Sequence, residues 1–317
     1  MSLPDPLSFS QLLETVWPDD AFIAGGILSR GDTLLVGAES KAGKSTLLSL
    51  LVRELITGGN FLGFKVEHPV TVFYLQAELR EARLKERLTP TYSKLPVPLL
   101  GQSFIWNTRG NILFGRDTNL IFEWIQKLHP DVLLIDPLAN FHTYDENNAT
   151  EMMKLARLFD HMKFTFNLSL ILSHHFRKLG NQKSESLLEH LRGSSALRGW
   201  VDTTIAMEGR TKSEYRRLEF DTRNSDEPIR RLVKYNAQTK DFDWHNPVND
   251  VYAMLVNKLN GLALPTDQVV QLILKECGHL VSRNRTKAFE MKELLLSTHQ
   301  LSAHSPDGKT ILLSIPS

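Results

Sequence analysis

Three polar clusters in this sequence carry residue types suited to phosphate chemistry, and each sits at the end of an apolar run. The first is Ala38-Glu39-Ser40-Lys41-Ala42-Gly43-Lys44-Ser45, followed by Thr46. It fits a loosened phosphate-loop pattern with alanine in place of the first glycine. In such a loop consecutive backbone N–H groups point inward and cradle phosphate oxygens, and the following helix adds its positive N-terminal end. Glu39, Ser40, Lys41, Ala42, Gly43, Lys44, Ser45 and Thr46 are therefore the expected nucleotide-binding segment, with ATP as the ligand. Lys44 is expected to reach the β- and γ-phosphates. The Ser45 hydroxyl is expected to ligate Mg²⁺, which prefers oxygen and keeps several waters. Gly43 lets the backbone come close. A chance Gly-Lys-Ser is the competing reading. The apolar run before the loop and the apolar helical run after it argue against chance.

The second cluster is a pair of acids. Val132-Leu-Leu-Ile ends in Asp136, and Val72-Phe-Tyr-Leu-Gln-Ala ends in Glu78. Ligands in parallel α/β sheets bind outside the carboxyl ends of the strands. Asp136 is thereby placed to hold the metal, directly or through water. Glu78 is placed to orient and deprotonate an attacking water. The bland alternatives are a strand-terminal turn aspartate and a glutamate favoured only by a helix dipole. The third cluster, His174-His175, ends the run Leu168-Ser-Leu-Ile-Leu-Ser. Tandem histidines raise the question of zinc, but no third ligand lies at a metal spacing, and Cys277-Gly-His279 is isolated. The preferred reading is that His174 hydrogen-bonds the γ-phosphate and signals its loss to the next loop. A buried histidine satisfied by its neighbours is the alternative.

These residues need a scaffold, and the pattern around them supplies one. Short apolar runs at Thr33–Val36, Val70–Leu75, Val132–Ile135 and Leu168–Leu172 read as buried parallel strands. Helical stretches lie between them: Ser45–Ile56, Leu79–Leu88 and Asn119–Leu128. The alternation predicts a parallel sheet covered on both faces. Thr203–Met207, Arg217–Asp221 and Arg231–Tyr235 read as antiparallel strands extending it. Residues 1–30 read as a lead-in, with a short helix over Ser8–Val16, capped by Ser10 and broken at Trp17-Pro18. Residues 31–245 read as the nucleotide-binding domain, and residues 246–250 as a linker. Residues 251–317 form a third part. Its helices are expected at Val251–Leu259, Thr266–Cys277 and Arg283–Thr298. A hairpin from Leu301 with a Pro-Asp-Gly turn follows them.

Bulk composition narrows the setting. The chain has 317 residues with a net charge of +1, so any basic surface must be local. A single cysteine precludes a disulfide framework and fits a reducing, cytoplasmic interior. No segment stays apolar for the ~20 residues a membrane span needs, so no membrane partner is expected.

Taken together, the phosphate loop, Tyr-Leu-Gln-Ala-Glu78, Leu-Leu-Ile-Asp136-Pro-Leu-Ala, Leu-Ser-His174-His175 and Arg192-Gly-Ser-Ser-Ala-Leu carry a family resemblance. Over residues 20–245 the chain resembles the RepA-type branch of RecA-like ATPases, which includes hexameric plasmid replicative helicases. It is similar more distantly to DnaB and RecA proteins. Ala38, where many members have glycine, is a mild departure. The resemblance implies a RecA-like parallel sheet sandwiched by helices, Glu78 as catalytic glutamate, and His174 as sensor. It also implies hydrolysis of ATP between neighbouring subunits of a ring, in the likeness of a hexamer. RecA-like motors borrow an arginine across that interface. Arg223, in Phe220-Asp-Thr-Arg-Asn-Ser, is the candidate, with Arg192 and Arg198 behind it.

Single-stranded DNA is the expected partner. In such an engine the loops after Asp136 and His174 line a channel. The first, His142-Thr-Tyr-Asp-Glu-Asn-Asn, is acidic. The second carries Arg177, Lys178, Lys183 and Arg192, which suits phosphate contacts without sequence readout. The C-terminal part resembles a winged helix, with Ser282-Arg283-Asn284-Arg285-Thr286-Lys287 opening its third helix. Such a module docks on DNA or on protein. The expected activity is a Mg²⁺-dependent helicase or translocase of a mobile element. The alternative is a non-unwinding ATP switch or loader acting through protein partners.

Overall fold

The computed structural model describes residues 6–16, 20–39, 41–175, 187–188, 195–208, 215–223, 225, 228–245, 247–278, 285–297, 300–306 and 310–315. Two compact units divide the chain, Met1–Trp244 and His245–Ser317.

In chain order the first unit contains α1 (Phe9–Glu14), β1 (Ala21–Ile23), β2 (Leu28–Ser29), β3 (Thr33–Ala38) and α2 (Lys44–Thr57). Next come β4 (Asn60–Phe61), β5 (Phe64–Lys65), β6 (Val72–Gln76), α3 (Glu81–Tyr92), α4 (Val97–Leu100) and β7 (Phe104–Asn107). α5 (Thr118–Leu128), β8 (Val132–Asp136), a 3-10 turn (Leu138–Phe141), α6 (Ala149–Phe166) and β9 (Ser169–His175) follow. α7 (Ser195–Trp200), β10 (Thr203–Met207), β11 (Tyr215–Thr222), β12 (Ile229–Asn236) and β13 (Asp241–His245) complete the unit.

One nine-stranded sheet organises this unit, in the order β13-β12-β11-β10-β3-β9-β8-β6-β7. The six strands from β10 to β7 run parallel. Every residue of β3, β6 and β8 is buried, as expected of parallel strands covered on both faces. The pleat divides their side chains between two cores. Leu34, Val36, Val132, Leu134 and Ile171 pack with Leu47, Leu51 and Leu55 of α2. Leu35, Leu133, Ile135, Leu170 and Leu172 pack on the other face with Ile121 and Ile125 of α5 and Met152, Leu155 and Phe159 of α6. All the parallel strands end on one edge of the sheet, which brings Ala38, Gln76, Asp136 and His175 together.

Several boundaries differ from expectation. The pattern of Thr203–Met207 predicts an antiparallel strand, but β10 pairs parallel with β3 and antiparallel only with β11. It is the last member of the parallel set. The cap of α1 is Ser8, not Ser10. Ser8 Oγ accepts from the Gln11 N–H at 3.1 Å while Gln11 Oε1 accepts from the Ser8 N–H at 2.8 Å, a capping box. Ser10 instead donates to Glu14. The lead-in ends before Ala21. Phe22, Ile23, Ile27 and Leu28 are fully buried in the α2-side core, and Arg30 bonds Asp131 and the Asn167 carbonyl, each at 2.9 Å. The expected linker is shorter too, because α8 begins at Pro247, where a proline at a helix start leaves no amide unsatisfied.

The second unit contains α8 (Pro247–Leu259), β14 (Leu264–Pro265), α9 (Thr266–Glu276), α10 (Arg285–Ser297), β15 (Ser302–His304) and β16 (Leu312–Ser314). The strands form a sheet ordered β14-β16-β15. Val251, Leu255, Val269, Val270, Ile273, Leu295 and Leu313 make its separate core. Three helices and a hairpin thus stand where the sequence placed them. Arg283, Asn284 and the Asp307-Gly308 turn lie outside the described residues.

The burial of the first hairpin yields a test. Phe22→Ala is expected to destabilise the first unit by about 3–5 kcal/mol, the usual cost of emptying a buried phenylalanine site. Chemical denaturation reads this directly. A loss under about 0.5 kcal/mol, the surface-substitution range, would mean that residues 21–30 are a detached lead-in after all.

Candidate functional site

The phosphate loop leaves the buried end of β3 and re-enters structure at α2. Lys41 and Gly43 adopt positive φ, 65° and 114°, so the chain curls as an anion-binding nest does. A Cβ at Gly43 would be strained by this φ and would press on Phe242 Cζ at 3.0 Å and Met207 Cε at 3.3 Å. Gly43 is also the N-cap of α2 and gives its first turn no side-chain acceptor, and no acid stands in that turn. The positive end of α2 is therefore open to an anion. Ser40 lies outside the described residues, Glu39, Lys41 and Ala42 form the loop, and Ser45 and Thr46 sit half-buried in the first turn. Lys44 is buried, and its Nζ donates to the His174 carbonyl at 3.2 Å. Burial pushes its ammonium below the usual lysine range, against the opposing pull of Asp136 and Glu78.

Asp136 closes the floor of the site. It is 4% exposed, and both carboxylate oxygens accept hydroxyl protons. Tyr74 Oη donates to Oδ2 at 2.7 Å and Ser173 Oγ to Oδ1 at 2.5 Å. The pleat explains the meeting: Tyr74, Asp136 and Ser173 lie on the α2 face of β6, β8 and β9. Sequence reasoning missed both hydroxyls. Their signal was period two, since each stands in the register that faces the phosphate-loop helix.

Glu78 projects from the turn after β6. The buried Gln76 side chain supports that turn when its amide oxygen faces the Glu78 and Leu79 N–H groups, at 2.9 and 2.5 Å. Its nitrogen then reaches Asn107 Oδ1 at 3.1 Å. Beside Glu78 stands His175, whose Nε2 is 3.6 Å from Glu78 Oε1. His175 is the main influence holding the Glu78 carboxyl below its ordinary range, with Lys44 and Arg87 adding to it.

His174, the expected γ-phosphate sensor, lies apart from the phosphate-loop face. Strand alternation turns its side chain to the face of Leu170 and Leu172, away from α2. There Nε2 lies 3.3 Å from Glu146 Oε1, and buried His142 approaches the same oxygen at 3.8 Å. His175 is the histidine on the phosphate-loop face. Arg223 is not brought to the site either. Thr222 pairs with Thr203 at the opening end of β10, while the phosphate loop follows the far end of the neighbouring β3. Arg223 Nη1 is 3.3 Å from Asp202, and its Nη2 donates to the Trp200 carbonyl at 3.0 Å. Arg198 pairs with Asp221 at 3.0 Å. Arg192 and the basic loop carrying Arg177, Lys178 and Lys183 lie outside the described residues.

A polar cavity of about 470 Å³ adjoins the first turn of α2. Thr46, Ser49, Arg83, Arg87, Tyr235 and Lys240 are among its walls. Arg53, ion-paired with Asp241, ties α2 to the β12–β13 hairpin that supplies Tyr235 and Lys240.

A sheet of this order, with a phosphate loop after one strand and carboxylates at the ends of its neighbours, defines a RecA-like P-loop ATPase. Comparison with known proteins agrees. A solved ATPase domain superposes with a TM-score of 0.53 at 12% identity, covering 68% of this chain and 86% of that one. A DnaB-like replicative helicase, solved in a study of its interactions with primase, gives 0.52 at 12% identity, covering 67% and 57%. The model of the AAA domain family matches residues 3–181, more than half of the chain, and the chain belongs to that family. DNA repair protein RadA of Bacillus subtilis (strain 168) is 25% identical over 207 residues, 62% of this chain. Its counterpart in Synechocystis sp. (strain ATCC 27184 / PCC 6803 / Kazusa) is 26% identical over 208 residues. The matched region spans only 37% of either RadA protein. Among the described residues no helix is long and apolar enough to cross a membrane.

The Glu78–His175 contact has a pH consequence. A depressed folded-state pKa contributes stability above the unfolded value, and that contribution is lost as pH falls through the folded value. In ¹³C NMR the Glu78 carboxylate is expected to titrate below 4.5, its ordinary value, and His175→Ala is expected to move the midpoint up towards it. An unmoved midpoint would show that the histidine is not the responsible partner.

Proposed function

We propose that the chain is a Mg²⁺-dependent ATP hydrolase that works on DNA as a ring-forming, RepA-like helicase or translocase of a mobile element. The observation that carries the reading is the convergence of Lys44, Ser45, Asp136 and Glu78 at the carboxyl ends of adjacent parallel strands. The residues fit the cofactor. The open end of α2 and the positive-φ loop suit a polyphosphate, the Ser45 hydroxyl is an oxygen donor that Mg²⁺ takes, and the Asp136 carboxylate would hold the ion directly or through its water shell. In this reading Glu39–Thr46 cradle the phosphates, and Lys44 exchanges the His174 carbonyl for a phosphate oxygen. The cavity beside Thr46 and Tyr235 receives the nucleoside. Bound Mg²⁺ would neutralise charge on the phosphate oxygens. Glu78, kept ionised by His175, orients the attacking water and accepts its proton.

Arg83 and Arg87 line the cavity from α3, on the side this reading gives to the nucleoside. The proposal therefore has Arg223 released from Asp202 and presented to the phosphates in a neighbouring subunit's site, which makes hydrolysis depend on assembly. DNA as substrate is supported by the family resemblance and by the names of the relatives, a DNA repair protein and a replicative helicase. The second unit, with its three helices and hairpin, is proposed as a winged-helix-like module for DNA or protein.

Glu78→Gln is expected to bind nucleotide normally and to lose about 10²–10⁴-fold in hydrolysis, the usual cost of a missing general base. Lys44→Ala is expected to abolish turnover with the fold intact, and Arg223→Ala to bind ATP yet hydrolyse it poorly. Phosphate release alongside nucleotide binding reads all three, and wild-type turnover in any one removes that residue's role.

The motor itself is tested on DNA. Single-stranded DNA is expected to stimulate hydrolysis, and ATP to drive strand displacement on a forked duplex. The acidic stretch Asp145-Glu146 after the Asp136 strand favours the alternative, a switch or loader acting through protein partners. DNA-independent hydrolysis without displacement would establish that alternative and overturn the motor.

A further inference from the structure

The carboxylate of Asp136 is more tightly held than its place at a strand end requires. It has about four lone-pair positions, and two of them face hydroxyl donors on different strands, Tyr74 from β6 and Ser173 from β9. The Tyr74 ring is buried in the α2-side core, where with Val52, Ile56, Leu88 and Tyr92 it borders an apolar cavity of about 220 Å³, and Ser173 is fully buried within β9. One donor on each carboxylate oxygen, held on strands to either side, restrains the torsion of the carboxylate.

We propose that Tyr74, assisted by Ser173, is a positioning residue for Mg²⁺, holding Asp136 in the one orientation from which it accepts hydrogen bonds from metal-bound water. Mg²⁺ demands near-ideal octahedral geometry and gives up its waters reluctantly. A partner that must address water, rather than the ion, depends on direction more than on proximity. A carboxylate free to rotate would present its lone pairs to that shell only part of the time. Partners of this kind commonly change metal affinity by about 10–100-fold when removed. Tyr74 also stands four residues before Glu78, so one strand sets both the metal-side carboxylate and the base.

This inference rests on Asp136 being the metal-side carboxylate, and the test separates the two. Binding of a fluorescent ATP analogue to the full chain is measured while Mg²⁺ is titrated, and again in EDTA. Tyr74→Phe keeps the ring and removes the hydroxyl. It is expected to need about tenfold more Mg²⁺ for half-maximal metal-dependent binding, with affinity in EDTA unchanged. Ser173→Ala, which removes the other donor, is expected to shift the midpoint in the same direction. A tyrosine that only filled the core would lower the melting temperature of Tyr74→Phe and leave its Mg²⁺ midpoint at the wild-type value, and that result overturns the inference. If Tyr74→Phe fails to fold, Ser173→Ala decides alone by the same criterion. Asp136→Asn is the reference. If it shifts the midpoint while the hydroxyl variants do not, the positioning role fails and the metal assignment stands. If Asp136→Asn itself leaves the midpoint unmoved, the metal assignment fails and takes this inference with it.

Discussion

A carboxylate buried at the floor of an apolar sheet has to be met by donors or it is not tolerated there. Asp136 is such a group, and much of the first unit can be understood from how it is met. Tyr74 and Ser173 each reach it only because β6, β8 and β9 are adjacent, parallel and in register. The buried Lys44 ammonium supplies the opposite charge from the helix across the face. A slip of one residue in β6 or β9 would turn its donor to the α5–α6 side and leave the carboxylate short of a partner. The site is thus a constraint on the sheet as much as a product of it.

The same period of two decides which histidine shares the phosphate-loop face. In sequence His174 and His175 are chemically equal, and nothing in a tandem pair says which faces the phosphate loop. The answer lay in the preceding residues. Leu170 and Leu172 share a face with His174, and Ile171 and Ser173 share one with His175. Lys44, Ser45, Asp136 and Glu78 were legible because strand-end acids and a glycine-bearing loop are local patterns. Tyr74, Ser173 and Gln76 were not, because their value comes from neighbours distant in sequence. Tyr74 reads as an ordinary apolar strand residue until Asp136 is placed beside it.

The fold was legible in the same uneven way. Fully apolar runs announced the central parallel strands. β10, with Thr203 and Thr204, has the pattern of a half-exposed antiparallel strand, and only its pairing with β3 shows otherwise. β7 escapes sequence reading because an edge strand with exposed Phe104 and Ile105 lacks the unbroken burial of its neighbours. Residues 21–30 read as a lead-in because Gly25 and Gly26 break the pattern. Those glycines carry positive φ in the tight turn of a hairpin that buries four large side chains, Phe22, Ile23, Ile27 and Leu28. In the second unit, where each helix packs on near neighbours in sequence, local periodicity was enough.

The resting contact between Lys44 and the His174 carbonyl has one more implication. A lysine that already has an acceptor responds only to a better one. A neutral amide oxygen holds an ammonium less firmly than an oxygen bearing formal charge. If Lys44 takes a phosphate oxygen as proposed, the contact acts as a threshold that screens incoming molecules by charge before shape is read. A sugar or a neutral base alone offers Lys44 nothing it does not already have, whereas an anionic oxygen displaces the carbonyl and releases it for another donor. On the proposed reading the His174 carbonyl is a weak imitation of the phosphate, and binding begins with an exchange.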